Sequence, residues 1–325
     1  MAHELTQRED GFVEMAFTGP RSAIWHGLGN NLQDGASIED WIVAAGMDWN
    51  VQEGDVIFES KKDDSIFHTF PDRKILYRSD NEQALSIVGS NFEIVQPREV
   101  IEFFRDLVQI HGMKLSTAGT LYDGKRFWAL AETGREDDVV DGDHIKGHLL
   151  LVTAVDGSMA TTAKFVSTRV VCNNTLTIAL SGISSKPVVK VTHKKKFDPS
   201  AVKIDLGIID KAWDRFMKNI KKLAETPMAE ADTRRFYQKM LYDESKMADE
   251  QSWGVVREVN KLMQAAMRGS GAEMSVGTKW GALCGATEVY THGTGNRNKS
   301  HQFWDSYNGT LEAKKLEVYR DLVLA

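Results

Sequence analysis

Six apolar residues in the second half of the chain limit what it can fold into more than any other feature. Leu206, Ile209, Trp213, Phe216, Ile220 and Leu223 recur at spacings of 3, 4, 3, 4 and 3, which lines one face of an α-helix and no face of a strand. The opposite face carries Lys211, Arg215, Lys218 and Lys222. Helical spacing returns over residues 229–246, 252–267, 280–290 and 310–323. Before residue 206 the pattern differs. Short segments rich in Ile, Val, Phe and Tyr at 51–59, 66–70, 74–78 and 85–95 are separated by Gly, Asp, Asn or Pro, which predicts an antiparallel meander. Met113, Leu115 and Thr117, the Asp123-Gly124 turn and residues 127–131 predict a second hairpin. The apolar run 148–155 suits a central buried strand, with 161–168 beside it. Short helices are predicted over 37–47, capped by Ser37, over 97–112, opened by Pro97, and over 171–180, where Cys172, Leu176 and Ala179 share a face.

The change of period predicts an α+β fold, with antiparallel β-hairpins and a sheet packed on helices and then a helical C-terminal part. The expected division is an N-terminal arm over 1–35, an α+β core over 36–205 and a helical region over 206–325. Its 325 residues supply a sizeable core without disulfide or metal staples. The first 20 or so residues are expected to be poorly ordered. Cys172 and Cys284 are too few for a disulfide framework or a Cys-rich zinc site and read as small buried hydrophobes. No run approaches the roughly 18 apolar residues of a membrane span, and the N-terminus is polar and acidic. The expectation is a cytoplasmic protein with no membrane partner.

Charge is unevenly placed. The formal net charge is −6, which excludes a protein that coats nucleic acid with its whole surface. Yet residues 157–197 hold no Asp or Glu and carry Lys164, Arg169, Lys186, Lys190, Lys194, Lys195 and Lys196. These 41 residues carry +7; subtracting this from −6 leaves −13 on the other 284. A second acid-free run, 289–304, adds Arg297 and Lys299. A solvated face mixes signs, because interspersed carboxylates relieve repulsion. A run free of carboxylates is better suited to meeting polyanions.

Catalytic signals are weak by comparison. His144 and His148 are four apart but have no third ligand at zinc spacing. Glu136, Asp138, Asp141 and Asp143 have the residue types for a magnesium nuclease, although a solvated turn is the simpler reading. There is no G-x-S-x-G elbow, and the 293–300 segment lacks Walker spacing. No catalytic residue, metal or cofactor is therefore assigned.

Nucleic-acid binding has more support. Period two places Lys164, Val166 and Thr168 on one strand face and alternates Lys190 with Val189 and Val191. The candidate DNA-binding set is Lys164, Arg169, Asn173, Asn174, Thr175, Lys190, Lys194, Lys195 and Lys196, extended by Lys279, Arg297 and Lys299. Phe127, Trp128 and Trp280 are candidates for base stacking, with Trp304 a further aromatic.

Several stretches resemble the phage/plasmid-like protein family, a domain of unknown function of phages, prophages and conjugative plasmids. They are Ala2-His3-Glu4-Leu5 with Arg8-Glu9-Asp10-Gly11 and Met15-Ala16-Phe17, then Trp25-His26-Gly27-Leu28-Gly29, Arg169-Val170-Val171-Cys172-Asn173-Asn174-Thr175-Leu176, and Gly277-Thr278-Lys279-Trp280-Gly281 leading to Ala286-Thr287-Glu288 and His292. The late motif departs from the family pattern, in which an Asn precedes the Ala-Val-Thr-Glu portion; here Cys284-Gly285-Ala286-Thr287 stands. The order of hairpins, helix, strands and trailing helices is also similar to that of phage single-strand annealing recombinases of the Red beta and Erf superfamily. That similarity implies ATP-independent annealing of complementary strands in homologous recombination. The implied partners are single-stranded DNA, the annealed duplex intermediate, further copies of the chain in a ring or helical filament, and a phage exonuclease or host single-strand-binding protein. The competing expectations are an anti-defence or establishment factor that binds protein, and a metal-dependent nuclease using Asp141 and Asp143.

Overall fold

The computed structural model describes residues 5–20, 28–60, 63–169, 174–177, 188–206, 209–293, 305–306 and 309–324. In chain order come β1 (Met15–Thr18), β2 (Asn30–Leu32), α1 (Ile38–Ala44), β3 (Val51–Ser60), β4 (Asp63–Arg78) and β5 (Ala84–Gly89). Next are α2 (Pro97–Glu102), α3 (Arg105–His111), β6 (Lys114–Leu121), β7 (Arg126–Asp138), β8 (His144–Ala154), β9 (Thr161–Arg169), β10 (Asn174–Thr177) and β11 (Val188–Val191). Helices follow: α4 (Pro199–Leu206), α5 (Ile209–Glu225), α6 (Glu230–Leu241), α7 (Trp253–Arg268), α8 (Lys279–Glu288) and α9 (Thr310–Leu324). The fold is mixed α+β, with the longer helices in the C-terminal half.

Among the described residues eight strands form one sheet in the order β10-β9-β8-β7-β6-β1-β2, with β11 on the same edge of β9 as β10. All pairs are antiparallel except β1 with β2. β3, β4 and β5 make a second sheet. The long central strands follow from their sequence: β8 is apolar on both faces and lies between β7 and β9. Leu149, Leu151, Ala163 and Phe165 pack on one face with Trp213, Phe216 and Ile220 of α5. Leu150, Val152 and Val166 pack on the other with Met15, Phe17, Trp128 and Leu130. The helical half and the sheet thus share a core.

Four local expectations are revised. Residues 171–180 were expected to be helical, but Asn174–Thr177 is a strand paired with β9 from Arg169 to Val166; the open edge of β9 outweighs a weak helical stripe, and Thr175 and Thr177 suit a strand. Residues 97–112 form two helices, separated at Phe103-Phe104 and ended by Gly112 in the left-handed region. The segments 66–70 and 74–78 join into the single strand β4, because Pro71 falls in a bulge opposite Val56. Residues assigned to an arm supply β1 and β2 to the sheet.

Candidate nucleic-acid interface

One end of the main sheet gathers the β6–β7 turn, the β8–β9 turn, the segment leaving β11 and the start of β5's exit loop. Tyr122 and Asp123 have positive φ, as a tight hairpin requires. The β8–β9 turn is shaped by Gly157 at φ 72 and by Ser158 N–H donating to Asp156 Oδ1 at 2.9 Å. It is tied across the sheet end by Val155 N–H donating to the Lys125 carbonyl. Ser86 Oγ donates to the Val155 carbonyl at 2.5 Å, which fastens the second sheet to the same end.

At this end Lys190, Lys194, Lys195 and Lys196 are exposed. Val189 and Val191 pack against the core, so strand alternation turns Lys190 away from it. A turn closed by Lys195 N–H on the Thr192 carbonyl then presents the three consecutive lysines. Lys194 lines a cleft of about 600 Å³ with Arg73, Asp72, Phe92, His193 and Met159 among its walls. Arg73 was absent from the sequence-derived set; it lies far from the acid-free run in sequence, so only pairing of β4 with β5 brings it here. His193 stacks on Phe92 with ring centroids 4.3 Å apart and planes at 12°. Its Nδ1 donates to the Glu93 carbonyl at 2.9 Å, while Glu93 N–H donates to the His193 carbonyl. The two rings are therefore held by a reciprocal clamp. A second cleft of about 880 Å³ adjoins across Asn91, Phe92 and Lys194, but there Glu53 and Glu93 balance Lys74 and Lys194.

Several sequence-derived site residues belong elsewhere. Lys164 shares a face with Leu150 and Val166 as period two requires, but it is 3% exposed and does not line an open groove. Burial pushes its ammonium down to about 8, opposed by the nearby charge of Glu312 on α9. Phe127 and Trp128 are core side chains on opposite faces of β7; neither has a free ring face for a base. Trp280 is also buried, and its indole N–H donates to Asp143 at 2.7 Å. Lys279 Nζ reaches the Leu322 carbonyl at the end of α9, where a cation satisfies a terminal carbonyl. Arg169 pairs with Ile145 and Asn174 in backbone register, and Thr175 with Thr168. The side chains of Arg169, Asn174 and Thr175 lie outside the described residues, as do Asn173, Cys172, Arg297, Lys299 and Trp304.

The acidic turn does not assemble the carboxylate clamp expected of a nuclease. Asp141 is exposed, whereas Asp143 is wholly buried against Trp280. Asp138 and Glu136 hold His144 at 2.8 and 3.3 Å, and the hydrogen bond that the imidazole donates to Asp138 raises its pKa. Asp137 pairs with Lys221 of α5 at 2.7 Å. Among the described residues no group of three His, Cys, Asp or Glu side chains is placed to hold a metal ion. His148 is buried beside Thr168, and burial pushes its pKa down to about 4.

The sequence profile of a family described as a domain of unknown function, DUF932, matches residues 84–309. The chain belongs to this family. No match is found among curated proteins or solved structures. The DUF932 span takes in Phe92, His193 and the exposed lysines, and begins after the β3–β4 hairpin and Arg73. No helix of the described residues is long and apolar enough to cross a membrane.

Proposed function

We propose that this DUF932 protein binds single-stranded DNA and anneals complementary strands without ATP, in homologous recombination of a phage or plasmid. The observation that carries the reading is the group of exposed cations, Lys190, Lys194, Lys195 and Lys196, beside Arg73 at one end of the sheet. The lysines come from a 41-residue run without a carboxylate. Such a group neutralises phosphates and releases counterions, and annealing asks for no nucleophile. Bound phosphates hold the strand while base edges stay free to test a second strand. The resemblance to Red beta and Erf recombinases supports the same reading, and with it self-association into a ring or filament.

Binding of an oligonucleotide across a salt series tests this. With about four to seven phosphate contacts, log affinity falls with log salt at a slope of roughly −3 to −5. Lys190→Glu with Lys194→Glu abolishes binding while leaving the circular dichroism unchanged, and annealing of complementary oligonucleotides is lost with it. A flat salt response, or a double variant that binds as wild type does, refutes the reading.

One observation favours a second reading, protein binding as an anti-defence or establishment factor. The distal β3–β4 ribbon leaves Ile57, Phe58, Ile66, Phe67 and Phe70 exposed, and β5 pairs only with its base, from Arg73 to Tyr77. Sedimentation of wild type beside Phe58→Ser with Phe67→Ser separates the uses. Loss of an oligomer assigns the ribbon to self-association; an unchanged monomer leaves it to another protein.

A further inference from the structure

We infer that the cleft beside Lys194 seats one nucleobase of the bound strand, stacked on the Phe92–His193 pair, with the flanking phosphates on Arg73 and Lys194. This rests on the reading of the protein as a single-strand binder and adds to it a base contact that the lysines alone do not supply.

Three features point to a base. The first is the platform: two rings in parallel contact at 4.3 Å, clamped by one backbone hydrogen bond, Glu93 N–H to the His193 carbonyl, and one from the His193 imidazole Nδ1 to the Glu93 carbonyl. A ring that is already immobilised loses little freedom on stacking, and unstacked bases are recognised in this way on aromatic and imidazole planes. The second is the cleft itself, about 600 Å³, with Met159 as a further apolar wall; this lies within the size range of small-molecule sites. The third is charge. Among the described residues of the lining, Arg73 and Lys194 outnumber the single carboxylate, Asp72. In the adjoining cleft Glu53 and Glu93 match the two lysines and leave no surplus for a phosphate. Lys194 stands between the two clefts and continues into Lys195 and Lys196, so a strand held by the lysines passes the mouth of the first cleft. Stacking reads no base edge, so the seat accepts any base with at most a modest preference.

The test compares a thymidine oligonucleotide with a deoxyribose-phosphate strand of the same length lacking bases, using the full-length protein at low salt. The normal strand binds about five- to a hundred-fold tighter. Phe92→Leu, which keeps aliphatic packing but removes the ring, erases most of that difference and leaves abasic binding and the salt slope unchanged. Equal binding of the two strands by wild type overturns the base seat while the lysine surface stands. Binding of neither strand sinks both readings. A measurement on wild type alone guards against misfolding of the variant: photo-crosslinking with 5-iodouracil places the adduct on Phe92 or His193, and adducts confined to other residues overturn the assignment.

Discussion

At the scale of single residues, burial sorts charges by use. Glu14 is fully closed off from solvent yet meets Arg78 through two hydrogen bonds, at 2.6 and 3.1 Å, with Arg8 and the Thr120 hydroxyl completing its shell. Arg78 in turn binds Asp80 and lies over the Trp49 ring at 4.0 Å. Arg78→Met removes two of the four hydrogen bonds on the buried carboxylate, leaving those of Arg8 and Thr120, and is expected to cost about 3–5 kcal/mol, measured by urea unfolding. Glu14→Gln is milder because the amide oxygen still accepts and Arg78 keeps Asp80 as its counter-ion, although the amide NH2 then faces donors. Lys164 makes the opposite case. Its pKa falls from 10.5 to about 8 through burial, so the unfolded chain keeps the proton to higher pH than the folded one. The cost, about 3 kcal/mol, is fully present below pH 8 and is relieved as pH rises through 8 to 10.5. Wild type therefore gains stability over that window relative to Lys164→Met. The variant binds single-stranded DNA as wild type does, in contrast to Lys190→Glu with Lys194→Glu. Loss of binding in Lys164→Met would return this residue to the interface.

At the scale of elements, close approach of backbones matters more than periodicity reveals. α8 is buried on nearly every side, so its sequence has no amphipathic stripe to mark the face it packs. Gly285 is what admits α7: a Cβ there would come within 2.6 Å of the Ala266 backbone nitrogen. Gly285 thus lies at the crossing of α7 and α8. Gly285→Leu is expected to destabilise by about 1–3 kcal/mol or more through forced separation of the helices, read as a fall in denaturation midpoint. α5 shows the simpler case, since its stripe at spacings of 3, 4 and 3 becomes the buried Trp213, Phe216, Ile220 and Leu223, while Leu206 of the same pattern ends α4. Trp213 lies over Gly147 of β8, where a Cβ would meet its ring at 2.9 Å. Helix and sheet are fitted to each other at a position that neither pattern marks.

At the scale of the whole molecule, one hydrophobic cluster runs from Trp41 and Phe104 through Leu149 and Phe165 to Trp213, Leu262 and Tyr319. A fragment ending at residue 205 loses the cover of that sheet face. It is expected to show little protection in hydrogen exchange and to be cut rapidly by proteases; a stably folded fragment would instead support an independent 36–205 core. Period, with turn and cap residues at its breaks, determined the α+β class, most helices, the hairpins and the amphipathic face of α5, because those features are repeated locally and their errors average out. Charge counting likewise located the lysines at 190 and 194–196. Tertiary structure decided which members of that basic run reach solvent. Lys164 and Lys190 have the same strand period and opposite exposure, because exposure depends on what packs above a strand face, and that comes from distant sequence. It also joined Arg73, Phe92 and His193 into one cleft. No local pattern encodes that meeting, since their contact is created by sheet pairing and turns that fold three remote segments onto the same end of the molecule.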